Sequence, residues 1–441
     1  MPGESTPVYP DWFTSSVKAI YDPAKQGMTN YDVIEAYVED FTNWNYVKVR
    51  GTVTISQHKF IITECVINGL GIVEDVREPY SNLTVRITGI TDNQGVLITD
   101  YVNGQHQIIN TITEDGIYTI EDRNNLIGFG CNFVGTCNIT ITQLPTSILQ
   151  DLSGNGNHAY LYGGKGKLNS GMGVYEVDFT IYYGVLINQH TCKLTYNHKN
   201  FGIAYNKLTK DIEPYTVKVT GIRKEVVRFT YRNEEGIEKD IRIKNDGYYT
   251  LPKCYKDGTQ GSSTTFVLYD NYDNDTEVII EQIPDYPNQL CYDGKMYAVC
   301  YGFPILTDYT VMADRTWFEI GANSCFASKR LVRDGFDDIA GAFAIEYRQK
   351  YCNNFGAATG ISFEANKQEF IVQTKAKYMD TNLNIGNGDD SDILIIGANN
   401  NRADAPREPY IGCHGKIIIA DRSFTEEEID WIKENIYNIK I

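Results

Sequence analysis

The sequence from Leu149 to Gly164 reads LQDLSGNGNHAYLYGG, and it predicts a tight loop followed by a strand. Glycine and asparagine adopt positive φ angles more readily than other residues, so the segment 151–157 suits a chain that turns sharply. Ala159 and Leu161 then alternate with two tyrosines, as expected for a strand that buries one face in a core. This stretch is the most specific motif in the chain.

The overall composition is that of an all-β protein. The 441 residues include 32 Tyr and 38 Gly but only 6 Met, which indicates many short strands and tight turns. An apolar share of 42% with 22% charged residues is ordinary for a folded chain of two to four domains. The longest uncharged apolar runs, at 393–396 and 417–419, are far shorter than the roughly 18 residues of a membrane-spanning helix, so we expect no membrane partner.

Charge and cysteine usage exclude further classes. The chain has 40 Lys and Arg against 57 Asp and Glu, and a net charge of −17 disfavours nucleic acid as a partner. The first 13 residues, MPGESTPVYPDWF, have neither the basic nor the apolar region of a secretory signal, so we expect the protein to stay in a cytoplasm. None of the ten cysteines forms a C-x-x-C pair, which favours reduced structural thiols over a metal site.

One unit of sequence occurs twice. EPY at 78–80 and TVRITGI at 84–90 return together as EPYTVKVTGI at 213–222. EDGIYTI at 114–120 returns as NDGYYTL at 245–251, and NITITQLP at 138–145 returns as EVIIEQIP at 277–284. Weaker echoes link DFT at 40–42 with DFT at 178–180, and His58-Lys59 with His198-Lys199. Because all these matches are collinear, they indicate an internal duplication.

Each copy is predicted to be a β-sandwich. The strand at 84–88 alternates Thr and Arg with Val and Ile, and the strand at 216–220 repeats this pattern. Asp115-Gly116 and Asp246-Gly247 are turn signals at matching places. We therefore expect two sandwich modules, at 40–145 and 178–284, which serve as spacers or binding modules and carry no chemistry.

The string DLSGNGNHAYLYG at 151–163 is similar to the early strand and loop of laminin-G-like domains, which have the concanavalin A-like lectin/glucanase fold. The end of the chain resembles the same family, with ILIIGA at 393–398, a Tyr-x-Gly turn at 410–412, GKIIIA at 415–420 and a closing helix. In that helix Thr425 and Glu428 have the spacing of a capping box, and Phe424 can pack onto Ile429. Ile429, Ile432 and Ile436 form an apolar stripe that would dock on the sandwich.

The resemblance implies a domain in three pieces. In the family the opening strand lies shortly before the glycine-rich loop, but the candidate strand here, VKAIYDP at 17–23, lies far upstream. QLCYDG at 289–294 looks like a later strand and turn of the family. The expected fold is thus a concanavalin A-like jelly-roll sandwich formed by 13–39, 146–177 and 285–441, interrupted at two surface loops by the modules. Such insertions cost little because loop closure depends only weakly on loop length.

Catalytic motifs are weak. The nearest match to the Glu-x-Asp-x-(x)-Glu strand of concanavalin-like glucanases is Glu176-Val177-Asp178, which lacks the third carboxylate. The acidic segment 426–428 suits the first turn of a helix, and His158 suits a turn. No Ser lies in G-x-S-x-G and the six His form no close set, so we expect no enzyme and no catalytic residue. An atypical glycosidase that uses Glu176 or Asp178 is the least favoured alternative.

Calcium is the one cofactor with candidate ligands, because hard cations need several oxygens from one loop. The candidates are Asp389, Asp390 and Asp392, and a second set at Asp270, Asp273 and Asp275. Neither set has the glycine and terminal glutamate of an EF-hand loop. Solvated hairpin turns are therefore the favoured interpretation, and no metal or other cofactor is expected.

A laminin-G-like domain combined with duplicated β-modules resembles virion proteins of tailed bacteriophages that infect gut Bacteroidales. That resemblance implies a non-enzymatic structural component of the virion, assembled in the host cytoplasm as a decoration, fibre or connector protein of the head or tail. Its partners would be other virion proteins, with a homo-oligomer also open. The alternative is a carbohydrate-binding adhesion module, which recognises host surface glycans through Tyr and Asn on a loop rim.

Overall fold

The computed structural model describes residues 9–28, 35–75, 82–102, 105–121, 127–164, 178–188, 190–197, 200–256, 263–319, 323–332, 339–348, 351–354, 357–362, 364–378, 381–382, 389, 391–399 and 406–440. These ranges contain 36 strands and two short α-helices, and every strand pairing among them is antiparallel. The predicted all-β fold class is therefore confirmed. Neither α-helix in the described ranges is long and apolar enough to cross a membrane.

The chain begins with α1 (Asp11–Ser16) and β1 (Val17–Tyr21), followed by 3-10 turns at Ala24–Gln26, Phe41–Asn43 and Lys48–Arg50. The first module contains ten strands: β2 (Asn45–Tyr46), β3 (Gly51–Ser56), β4 (Lys59–Cys65), β5 (Gly71–Asp75), β6 (Leu83–Thr88), β7 (Val96–Val102), β8 (Gln105–Ile112), β9 (Gly116–Ile120), β10 (Ile127–Cys131) and β11 (Gly135–Gln143). Two strands follow it: β12 (Ile148–Leu149) and β13 (Ala159–Tyr162).

The second module contains eleven strands: β14 (Thr180–Tyr182), β15 (Gly184–Asn188), β16 (Thr191–Asn197), β17 (Asn200–Phe201), β18 (Ile203–Lys207), β19 (Tyr215–Thr220), β20 (Val226–Arg232), β21 (Glu238–Ile243), β22 (Gly247–Leu251), β23 (Ser263–Asp270) and β24 (Glu277–Gln282). The remaining elements are β25 (Leu290–Asp293), β26 (Tyr297–Tyr301), β27 (Thr310–Glu319), β28 (Asn323–Val332), β29 (Ile339–Arg348), β30 (Tyr351–Asn354), β31 (Ala357–Ser362), β32 (Gln368–Thr374), β33 (Lys377–Tyr378), β34 (Thr381–Asn382), β35 (Ile393–Ile396), β36 (Ile411–Ala420) and α2 (Glu426–Asn435).

The two modules have the same topology. In the first, the sheets have the strand orders β2-β5-β10-β7-β8 and β3-β4-β11-β6-β9. In the second they are β14-β18-β23-β20-β21 and β15-β16-β24-β19-β22, so each strand of the first module has a counterpart in the same place, and the short β17, which pairs with β16, is an addition of the second module. Each module also has its own apolar core. The interrupted sandwich with two duplicated sandwich modules is the architecture that the repeats predicted.

A shared glycine shows how closely the copies correspond. Gly89 and Gly221 end equivalent strands with φ angles of +90° and +92°. A Cβ atom at Gly89 would lie 2.2 Å from the carbonyl oxygen of Asn138, and one at Gly221 would lie 2.4 Å from that of Glu277. Both positions therefore require glycine on steric as well as conformational grounds.

The weakest of the predicted echoes needs a correction. The amide of Gln143 donates to the carbonyl oxygen of His58, and the amide of Gln282 donates to that of His190, each over 2.8 Å. The structural counterpart of His58 is therefore His190 and not His198, which lies outside the described residues. The sequence match failed because Lys59 corresponds to a threonine in the second module.

A third sandwich is formed by strands that precede and follow the two modules in the sequence. Its eight-stranded sheet has the order β12-β13-β26-β35-β28-β29-β30-β31. The other sheet has the order β1-β36-β27-β32-β33-β34, and β25 also pairs with β36. A core that includes Trp317, Phe326, Tyr410 and Ile417 lies between them.

The glycine-rich loop holds the first strand of this sandwich. Asp151 Oδ1 accepts the amide hydrogen of Ile20 over 2.9 Å, and the amide of Leu152 donates to the Ile20 carbonyl over 2.8 Å. The Asn157 side-chain amide donates to the Lys18 carbonyl over 2.7 Å. These groups of the loop satisfy the Ile20 amide and the carbonyls of Lys18 and Ile20 on the side of β1 away from β36, and so cover that edge of the sheet.

The same carboxylate also shapes the loop. Asp151 accepts hydrogen bonds from the amide and hydroxyl of Ser153, both over 2.9 Å, and from the amide of Asn157 over 3.1 Å. Gly154 and Gly156 provide the turns, with φ angles of +88° and +77°. His158 accepts the Asp151 amide hydrogen through Nδ1 over 3.0 Å, in the turn role that the sequence indicated.

The closing helix α2 forms as its sequence predicts. Thr425 Oγ1 accepts the Glu428 amide hydrogen over 3.3 Å, and Glu428 accepts the Thr425 amide hydrogen over 2.9 Å, which completes the capping box. The apolar stripe of α2 packs with Trp12 and Phe13 of α1 on the outer face of the seven-stranded sheet. The two ends of the described chain thus cover the same face.

The expectation of reduced thiols is wrong at one pair. Cys65 and Cys131 form a disulfide with Cα atoms 6.4 Å apart, whereas seven other cysteines are free. Cys65 ends β4 and Cys131 ends β10, so the bond joins the two sheets of the first module. Spacing could not reveal it, because the two residues lie 66 positions apart and meet only when the sheets pack.

Replacing Asp151 with Ala tests the loop's role. We expect the free energy of unfolding of the third sandwich to fall by about 3 kcal/mol, because the buried amide of Ile20 and the partly buried amides of Ser153 and Asn157 lose their acceptor. Asp92→Ala, at an exposed turn of the first module, is the matched control and should change stability by less than about 0.5 kcal/mol. Urea unfolding followed by tryptophan fluorescence measures both, and equal effects would contradict the role assigned to Asp151.

Candidate functional site

The first set of calcium candidates, around Asp389, lies in the third sandwich. There the ammonium group of a lysine pairs with the carboxylate that a metal ion would need. The carboxylate of Asp389 is fully buried and paired with the ammonium group of Lys329, which also donates to the Ser391 carbonyl. Burial lowers the pKa of Lys329, and the hydrogen bond from its ammonium group to Asp389 opposes that shift. Asp392 is exposed, and Asp390 lies outside the described residues. The geometry is that of an internal ion pair.

The second set of candidates forms the turn between β23 and β24. Asp273 Oδ2 lies 2.6 Å from Lys224 Nζ, and this hydrogen bond lowers the pKa of Asp273. Asp273 also accepts the Asp275 amide hydrogen over 3.0 Å, while Asp270 accepts that of Asn271 over 2.9 Å. Across the described residues, no group of three His, Cys, Asp or Glu side chains is arranged to hold a metal ion.

The proposed glycosidase pair cannot be assembled from the described residues. Asp178 lies immediately before β14, at the start of the second module, and lines a cavity of about 290 Å³ together with Asn206 and Lys210. Glu176 lies outside the described residues.

The third sandwich contains a cluster of buried polar groups. His414 Nδ1–H donates to the Gly415 carbonyl over 2.7 Å, and His414 Nε2 accepts from the Tyr292 hydroxyl over 3.0 Å. Burial lowers the pKa of His414 to about 4, so its imidazole is neutral at pH 7. The guanidinium of Arg315 lies 5.0 Å from the centre of the Trp317 ring. All four side chains are at most 1% exposed, so they belong to the core rather than to a cleft.

The clearest exposed feature is an edge strand of the second module. Among the described residues β15 pairs only with β16, so within that part of the chain its other side leaves backbone N–H and C=O groups without a strand partner. Its consecutive side chains Val185, Leu186 and Ile187 are 48%, 44% and 52% exposed. Tyr182 and Tyr183 precede it and are each 55% exposed. We call residues 182–187 the apolar edge.

The same position in the first module is polar. There the edge strand is β3, in which Thr52, Thr54 and Ser56 are exposed while Val53 and Ile55 are partly buried. Thr52 Oγ1 also donates to Glu64 over 3.0 Å. On β3 the exposed side chains are polar, because polar and apolar residues alternate strictly. On β15 three consecutive apolar side chains are exposed to solvent. The duplicated modules thus share a fold but differ in this surface.

The sequence analysis missed the apolar edge, although the sequence contains a signal for it. Residues 179–192, FTIYYGVLINQHTC, contain no Asp, Glu, Lys or Arg in a chain that is 22% charged. Only the strand order shows that it lies at an edge.

Comparisons with known proteins do not assign the chain to a family. No family model matches it, and no curated protein matches it. Among solved structures, Trypanosoma rangeli sialidase with the inhibitor DANA is 11% identical over 87% of this chain and 83% of that chain, with a TM-score of 0.25. A mutant of Bacillus subtilis oxalate decarboxylase OxdC is 9% identical over 58% and 79%, with a TM-score of 0.13. Similarity at this level indicates neither a shared fold nor a shared activity.

The low pKa of His414 predicts a pH dependence. In the unfolded chain the imidazole has an ordinary pKa near 6.5, so its contribution to stability is complete above that pH and is lost as pH falls toward 4. A shift of this size corresponds to about 3 kcal/mol. His414→Gln should weaken the dependence of unfolding free energy on pH between 7 and 4.5, because glutamine does not take up a proton in this range. If the unfolding free energy of His414→Gln depends on pH as strongly as that of the unmodified protein, His414 is not the group responsible for this dependence.

Proposed function

We propose that this protein is a non-enzymatic structural component of a bacteriophage virion and that it acts through protein–protein contacts. The apolar edge is the observation that supports this most directly, because an exposed, uncharged edge strand is a template for pairing with another chain. The resemblance of the sequence to laminin-G-like domains and to virion proteins of tailed phages supplies the biological setting.

The laminin-G-like, concanavalin A-like assignment of the third sandwich is part of this proposal. Its support is the arrangement of two antiparallel sheets, the glycine-rich loop that holds the opening strand, and a capped helix that closes the chain. In this arrangement the third sandwich is the body of the subunit, and the modules project from two of its loops.

The partner that best fits the apolar edge is a second copy of the same chain. Antiparallel pairing of two β15 strands about Leu186 places Val185 of each copy opposite Ile187 of the other, which makes the contact self-complementary. The uncharged stretch 179–192 also lets two chains with a net charge of −17 meet without repulsion at the contact. The joined strands would extend the β15-containing sheets of two modules into one.

Purified phage particles test the proposed role. Mass spectrometry of particles banded in a density gradient should detect this chain at a stoichiometry set by the particle's symmetry. Its absence from particles whose genome encodes it would contradict the virion proposal.

A charge at the apolar edge should block assembly. Val185→Glu places a carboxylate opposite Lys193 of the same sheet, which suits the folded module, but when two edges pair it sets that carboxylate against the apolar Ile187 of the other copy. We expect this variant to sediment as a monomer and to be depleted from particles by about tenfold or more.

Thr54→Glu is the matched control because Thr54 occupies the corresponding exposed position of β3 in the first module. It makes the same change in net charge at an edge that is already polar, so its assembly should match that of the unmodified protein. If Val185→Glu assembles normally, the apolar edge is not the contact.

A further inference from the structure

Two arginines converge on one exposed face of the second module. The face is the outer side of the sheet β14-β18-β23-β20-β21, in which Arg228 of β20 pairs directly with Arg242 of β21. Both guanidinium groups lie against Tyr269 of β23, at 4.8 Å and 5.0 Å from the centre of its ring. Tyr269 is 42% exposed, so the group of three is open to solvent.

The charges of this pair are poorly neutralised by the protein. Like charges directly opposite each other on paired strands destabilise a sheet. Arg242 Nε lies 3.5 Å from Asp240, but both side chains are about half exposed, with 54% and 45% of their surfaces accessible, so solvent screens that contact. Arg228 Nε is buried and makes no hydrogen bond to the described residues. An anion bound between the guanidinium groups would remove the repulsion.

The same face continues as aromatic rings and hydroxyl groups. Tyr205 of β18 stacks on Tyr182 of β14, with ring centres 5.3 Å apart and planes within 9°. Between these rings and the arginines lie Thr265 and Thr230, whose hydroxyls are 2.6 Å apart. Three strand spacings separate β14 from β20, so the face is about 14 Å across from ring to guanidinium. This length accommodates an extended ligand with several contacts.

The first module lacks the arginine pair and the tyrosine of β18. Strand registers place Leu97 where the second module has Arg228, and Thr111 where it has Arg242. Glu74 replaces Tyr205, and this carboxylate is paired with Arg50. The duplicated fold therefore does not require the arginine pair. Its presence in only one copy points to a role of that copy alone.

We propose that this face of the second module binds an acidic glycan, a sugar chain that carries carboxylate or sulfate groups. The arginine pair would hold the anionic group, the exposed tyrosine faces would stack against sugar rings, and the threonines would meet hydroxyl groups. A glycan fits this face better than an acidic peptide does. The arginine pair is a single cationic position at one end of the face, whereas the rest of the face presents aromatic rings and hydroxyl groups, which suit sugar rings better than a row of carboxylates. The site shares Tyr182 with the apolar edge, but its arginine pair lies on the other sheet of the module, and the inference does not rest on the virion proposal.

Isothermal titration calorimetry on the full chain tests this inference with defined probes. Oligogalacturonate supplies carboxylates, dextran sulfate supplies sulfates, maltohexaose is the neutral sugar, and poly-glutamate is the acidic peptide. We expect binding of at least one anionic glycan and its loss by about tenfold or more in Arg228→Ala/Arg242→Ala. Lys218→Ala/Lys239→Ala removes the same charge at a partly buried and an exposed position of the same module, and it should bind like the unmodified protein.

Further variants keep the outcome decisive. Arg242→Ala alone changes an exposed side chain, so it tests the site even if the double variant fails to fold. Val185→Glu should bind glycans normally, which separates this site from the apolar edge. Binding of neither anionic glycan, equal binding by the arginine variants, or tighter binding of poly-glutamate would each overturn the proposal.

Discussion

The hydrogen bonds from the loop 151–157 to β1 are the constraint on which the rest of the structure depends. Asp151 meets the amide of Ile20 across 131 positions of sequence, and the first module occupies most of that interval. The ends of the module meet as well, because the Thr146 amide donates to the Ala36 carbonyl over 2.9 Å and the Glu35 amide to the Gly164 carbonyl over 2.8 Å. The module thus leaves and re-enters the third sandwich at one place, and the sandwich needs little rearrangement to carry it.

Duplication gave the protein two modules with one topology and different surfaces. The first module packs on the third sandwich, where the guanidinium of Arg86 lies 4.6 Å from the centre of the Tyr301 ring, and a disulfide joins its two sheets. The second module exposes the apolar edge and the arginine–tyrosine face instead. We infer a division of roles in which the first copy supports the body of the subunit and the second carries its contacts.

The sequence was most informative where structure follows from local rules. The capping box at Thr425 and the matched turns of the two modules are local patterns, and the all-β class follows from composition and alternation. The disulfide, the pairing of Lys329 with Asp389 and the convergence of Arg228 with Arg242 depend on which strands become neighbours. No pattern along one chain specifies those neighbours, so Asp389, which resembled a calcium ligand, belongs to an ion pair, and Asp270 and Asp273 belong to a turn.

The most direct test of this account is the stability of a shortened chain. Replacing residues 37–145 with Asn-Gly joins Ala36 to Thr146 through a two-residue turn, which their existing hydrogen bond already prepares. The tryptophans at 12, 317 and 431 lie in the third sandwich, so their fluorescence follows its unfolding in urea. The account predicts a cooperative transition with a slope close to that of the full chain's third sandwich. Loss of that transition would show that the sandwich is not a domain interrupted by an inserted module.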